Sequence, residues 1–94
     1  MDFKKKFQRN ENIVYREEED GAFLFDPDTG NLKYMNRSGK ETFLMLEGQK
    51  DVNQLIHELL GLYPEVELNR IQKDVESFIK ELEENEFISS FVGR

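Results

Sequence analysis

Between Gly21 and Gly39 the chain reads GAFLFDPDTGNLKYMNRSG, and this stretch restricts the fold more than any other. Ala22–Phe25 is a compact apolar segment of the kind that forms a buried strand, and Leu32–Met35 alternates in character with period two. Between them, DPDTG supplies a turn. Pro27 fixes φ at the first turn position, and Gly30 can take the left-handed conformation that closes such a loop. Upstream, Ile13, Val14 and Tyr15 suit a further strand, joined to the apolar segment through Asp20-Gly21. That dipeptide accommodates a type I′ turn. The expectation is a three-stranded antiparallel meander.

After Asn36 the period changes to that of a helix. Phe43, Leu44 and Leu46 mark a first helix, opened by Asn36 or by Ser38 with Glu41 three residues on, and ended at Gly48. Asp51 with Gln54 three residues later starts a second helix, whose stripe is Val52, Leu55, Ile56, Leu59 and Leu60. Gly61 and Pro64 break it. The third and longest helix carries Leu68, Ile71, Val75, Phe78, Ile79 and Leu82 at spacings of three and four. Asn85 is a candidate left-handed cap, and EFISSFV trails off behind it. The fold class is therefore α+β, ordered β-β-β-α-α-α, as in a winged helix.

With 94 residues, one domain and one modest core are all that can form. Residues 1–10 carry four cations against Asp2, a net +3, while the whole chain is −7, leaving −10 on residues 11–94. Residues 1–11 read as a basic flexible tail and residues 12–90 as the domain. The longest uninterrupted apolar run, Ala22–Phe25, is far too short to cross a bilayer, and no apolar segment follows the charged start as a secretory signal would need. The absence of Cys excludes a disulfide framework and a thiol nucleophile, and suits the cytoplasm.

Little in the chain points to catalysis. His57 is the single histidine, set between Ile56 and Glu58 in a helix, where a structural or surface role is expected. No calcium-loop spacing, glycine-rich phosphate loop or cofactor fingerprint is present. Ser38 is accounted for by capping. Duplex DNA is the ligand a winged helix would suggest. Yet residues 67–86 place seven carboxylates against Arg70, Lys73 and Lys80, and a helix of net −4 repels phosphate. The remaining binding mode for so small a sheet is strand addition at a free edge. Glu17, Glu18, Glu19 and Asp20 guard the first strand, whereas the third has only Lys33. That open edge can take an extended peptide or pair with a second copy in a homodimer.

Read in order, Asp26 to Gly30, Met35-Asn36-Arg37-Ser38-Gly39, Phe43, Gly48, Leu55-Ile56 and Asp74-Val75 through Phe78 to Leu82 form a pattern. It resembles that of the PqqD-like family, the recognition elements for ribosomally made precursor peptides, over about residues 12–88. Met35 stands where the family usually has Leu, Phe43 where Trp is common, and Glu86 where Gly often follows the third helix. The resemblance implies a non-catalytic domain that binds the leader of a precursor peptide as an added strand. It would present that leader to a modifying enzyme, a radical SAM protein or a leader peptidase. It also implies a groove between the third strand and the third helix. Asn31, Leu32, Lys33, Tyr34 and Met35 would then lie along the leader, with Asp74, Val75, Phe78, Glu81 and Leu82 on the helical side. No cofactor is implied.

Overall fold

A computed structural model describes residues 5–91. Its elements are β1 (Lys6–Arg9), β2 (Val14–Glu17), β3 (Gly21–Phe25), β4 (Leu32–Asn36), α1 (Arg37–Met45), β5 (Lys50–Asp51), α2 (Val52–Leu62), α3 (Leu68–Glu84) and β6 (Ile88–Phe91). The expected meander is β2-β3-β4, antiparallel throughout, and the three helices follow in the expected order.

A second antiparallel sheet, β5-β1-β6, was not expected. It draws on the two segments read as loose ends. Lys6–Arg9 pairs along its length with Ile88–Phe91, so the expectation of a flexible tail through residue 11 does not hold for these residues. Their order has a packing cause. Phe7 is fully buried, as are Phe87 and Ile88, and each such side chain contributes about 1.5–3 kcal/mol on leaving water. Lys4 and the residues before it lie outside the described residues.

Side chains from both sheets and all three helices share one core, including Leu24, Met35, Phe43, Leu55, Ile79 and Leu82. On α3 the buried positions are Ile71, Val75, Ile79 and Leu82; of the six positions the periodicity marks, Phe78 is only partly buried and Leu68 is exposed. Asn36 caps α1, its side chain accepting from the Gly39 amide at 2.9 Å. Asp51 and Gln54 form the expected reciprocal capping box on α2. The helix ends fall slightly off expectation: α1 stops at Met45, three residues short of Gly48, and α2 runs past Gly61 to Leu62.

Three turns show what their residues are for. Gly30 has φ +79°, as expected, and its amide donates to the Asp26 carbonyl at 2.8 Å. The β2–β3 turn is not type I′, because neither Asp20 nor Gly21 has positive φ. Its central residues are Glu19 and Asp20, closed by the Glu18 amide on the Gly21 carbonyl at 2.9 Å. Gly21 is instead a close-approach glycine, since a Cβ there would collide with the carbonyl oxygen of Met35 across the ladder. At the end of α3 the left-handed residue is Glu86, φ 63°, and not Asn85, whose φ is −95°. The Phe87 amide bonds to the Leu82 carbonyl and the Glu86 amide to that of Glu83, which together make a Schellman motif.

Candidate functional site: a free sheet edge facing a helical groove

Strand β4 has β3 on one side and, among the described residues, no strand on the other. Which of its backbone groups face outward follows from the hydrogen-bond phase. The Asp26 amide donates to the Asn31 carbonyl at 2.9 Å. In an antiparallel ladder, successive residues alternate between bonding the partner and facing away from it. The register Phe25↔Leu32, Leu24↔Lys33, Phe23↔Tyr34 and Ala22↔Met35 then turns Lys33 and Met35 toward β3. Leu32 and Tyr34 turn their N–H and C=O groups to the open edge. The other flank of β3 agrees, since the Glu18–Gly21 bond assigns Gly21, Phe23 and Phe25 to β2. The five-residue edge expected from sequence thus reduces, in backbone terms, to two outward residues within Asn31–Met35.

Side chains alternate in the same way. Lys33 points toward α3, where its Nζ lies 2.5 Å from Oε1 of Glu81 and 5.8 Å from the centre of the Phe78 ring. One turn nearer the hairpin, the Asn31 side chain donates to the Asn85 carbonyl at 3.1 Å. These contacts close one end of the space between β4 and α3. Beyond them lies a groove of about 550 Å³ that extends to the start of α1 and the α2–α3 connection.

The helical wall of the groove is Ile71, Asp74, Val75, Phe78 and Glu81. Four of the five helical residues expected at the site therefore line it. The fifth, Leu82, is fully buried in the core, and so is the Met35 side chain on the strand. Phe78 is partly buried and leans on the core. It can lie against α1 because Gly39 has no side chain: a Cβ there would stand 3.3 Å from the Phe78 ring and 3.3 Å from the Met35 Cβ. Further lining residues, which sequence reasoning did not assign to the site, include Ser38 and Thr42 on α1, Tyr63 and Val66 after α2, and Arg70 and Ser77 on α3 itself. Arg70 and Ser77 stand four before and three after Asp74, so the helical wheel could have found them. Tyr63 and Val66 carry no such signal, because only the packing of α2 against α3 brings them there.

The groove is apolar at its base and charged at its rim, where Arg70 and Asp74 approach to 4.0 Å. Behind it, the Tyr63 hydroxyl donates to Oε2 of Glu41 at 2.5 Å. That hydrogen bond, together with partial burial, raises the Tyr63 pKa above its ordinary value of 10.0. No cluster of three potential metal ligands occurs among the described residues. None of the described helices is long and apolar enough to cross a membrane.

A small three-stranded sheet whose β4 edge is unpaired, with the amphipathic α3 across an apolar groove, has the geometry to which an extended peptide can add as a strand. Residues 21–88 match the family of coenzyme PQQ synthesis protein D (PqqD), and the chain belongs to that family. Two solved structures share the fold. One is of TbiB1 in complex with the TbiA(β) leader peptide: TM-score 0.79 at 17% identity, covering 92% of this chain and 99% of the other. The second is of lasso peptide synthetase B1 complexed with the leader peptide: TM-score 0.73 at 19% identity, covering 88% and 96%. Among curated proteins, none matches the chain in sequence.

Proposed function

We propose that this protein is a non-catalytic module that captures the leader of a ribosomally synthesised precursor peptide and presents it to a modifying enzyme. The observation that carries the reading is the outward-turned backbone of Leu32 and Tyr34 on β4, the strand whose last residue, Asn36, lines the apolar groove along α3. An extended leader adds to the sheet at β4, and its inward side chains enter the groove along α3, past the contact of Lys33 with Glu81 and Phe78. The family membership and the leader peptides bound by both structural neighbours support this reading. The enzyme served is a radical SAM protein or a leader peptidase, and the compartment is the cytoplasm, where precursors are made. A second copy bound at β4 would compete with the leader.

Backbone pairing contributes about 0.5–1.5 kcal/mol net per hydrogen bond, and so few bonds leave little affinity after ordering costs. The groove must therefore supply much of the binding. Calorimetry with the leader of its cognate precursor peptide should give a Kd between nanomolar and micromolar, about −12 to −8 kcal/mol. Phe78→Ala should weaken binding at least tenfold, roughly 1.4 kcal/mol, in protein that still unfolds cooperatively. Amide shifts on adding leader should gather at residues 31–35 and 71–82. Shifts concentrated instead on β2 or α2 would refute the docking site. Mass spectrometry of the precursor incubated with this protein alone should show no change.

A further inference from the structure

The outer face of the meander, opposite the core, carries two apolar rows. Val14, Phe25 and Leu32 lie side by side across β2, β3 and β4, and so do Arg16, Phe23 and Tyr34. In the first row the side chains stay in water, at 52%, 39% and 65% exposure. In the second, Tyr34 is 50% exposed, its ring meeting that of Phe23 edge-on at 5.2 Å. The Arg16 guanidinium covers the other part of Phe23, 5.3 Å from its ring centre. Both rows end on Leu32 and Tyr34, the same residues whose backbone groups are open. Arg16, the β2 end of the second row, stands beside the acidic run Glu17–Asp20, which discourages pairing there.

We infer that the outer sheet face also selects the leader: two leader residues spaced i and i+2 turn away from the groove and extend these rows past Leu32 and Tyr34. The inference rests on the proposed strand addition at β4. For a leader antiparallel to β4 it follows from ladder geometry, since residues directly opposite Leu32 and Tyr34 share their hydrogen-bonded positions and their face. The side chains that fit there are apolar or aromatic. The one opposite Leu32 continues an aliphatic–aromatic row, and the one opposite Tyr34 continues an aromatic stack. The residue between them faces Lys33 and the groove. The strand that binds is therefore read from both sides, with specificity divided between groove and outer face.

The test uses the full chain and a phage-displayed library of random 12-residue peptides as probe. Enriched peptides are synthesised, scanned with alanine and measured by fluorescence anisotropy. The expected peptides carry an apolar or aromatic pair at i and i+2, and N-methylation at those two positions should abolish binding. Leu32→Thr and Tyr34→Thr should each weaken binding about two- to fivefold, and the double variant about tenfold. Val14→Thr makes a similar exchange at the far end of one row and should change nothing. Alanine at the paired peptide position should cost less against the threonine variant than against the parent, which a loss of fold would not produce. If N-methylation abolishes binding but the threonine variants bind as the parent does, this inference fails and strand addition stands. A Val14→Thr loss equal to that of Leu32→Thr would also overturn it. If no peptide is enriched, or N-methylation has no effect, both readings fail.

Discussion

Replacing Glu86 with glycine should stabilise the domain, and the structure shows how to separate two reasons. Glu86 holds φ 63° to close the Schellman motif behind α3. A residue with a Cβ is penalised there by about 1–2 kcal/mol, and glycine is not. Glycine also gives the unfolded chain more freedom, which returns about 0.4–1 kcal/mol. The net backbone gain is therefore about 0.5–1 kcal/mol. Glu86 is, in addition, an exposed carboxylate beyond Glu81, Glu83 and Glu84, at the negative end of the helix dipole. Removing its charge alone should contribute a few tenths of a kcal/mol at low salt. Its carbonyl accepts from the Asn10 side chain, a bond glycine would keep. Glu86→Gln isolates the charge effect, and Glu86→Gly adds the backbone effect. In urea titrations Gly should exceed Gln by about 0.5–1 kcal/mol, or about 3–6 °C in Tm. If Gln gains as much as Gly, the left-handed residue carries no strain and the argument is refuted.

Gly21→Ala should cost about 3 kcal/mol or more in urea unfolding, because the new methyl meets the Met35 backbone rather than a side chain that can move aside. Asp51→Ala removes half of the capping box on α2 and should cost about 1 kcal/mol by the same measurement. Tyr63 keeps its proton in the folded state to higher pH than in the unfolded chain. Its contribution is whole below pH 10.0, the ordinary value, and is lost as pH rises through the raised pKa. Tyr63→Phe should therefore be less stable than the parent near neutrality, and the gap should narrow in thermal melts above pH 10.

The meander and helices were legible because each carries a strong local pattern: period two in Leu32–Met35, spacings of three and four along α3, and Asp51 with Gln54 at a helix start. The second sheet was not, and its strands show why. KFQR and ISSF are four residues each, and the first sits in a basic run that resembles a solvated end. Only pairing across the whole chain makes them strands. Asp74, Phe78 and Glu81 could be named because the helical wheel sets them at the margin of the core stripe, whereas strand alternation put Lys33 and Tyr34 on opposite faces without saying which one meets α3. The inward-facing backbone of Lys33 could not, since it depends on the phase set by the Asp26–Asn31 bond. Likewise, left-handed geometry was expected at Asn85, the better residue for it, and falls one position later on Glu86.

The pairing of β1 with β6 has a topological consequence. Lys6 lies opposite Phe91, so the polypeptide comes into the domain and leaves it at neighbouring points, about 5 Å apart as Cα partners in such a ladder usually are. A unit built this way can be spliced into a surface loop of a host protein without stretching either, or be circularly permuted by a short link between its ends. The same pairing gives the sheet its longest loop to close, so β1 and β6 should join late in folding, after the local hairpins and helices have formed.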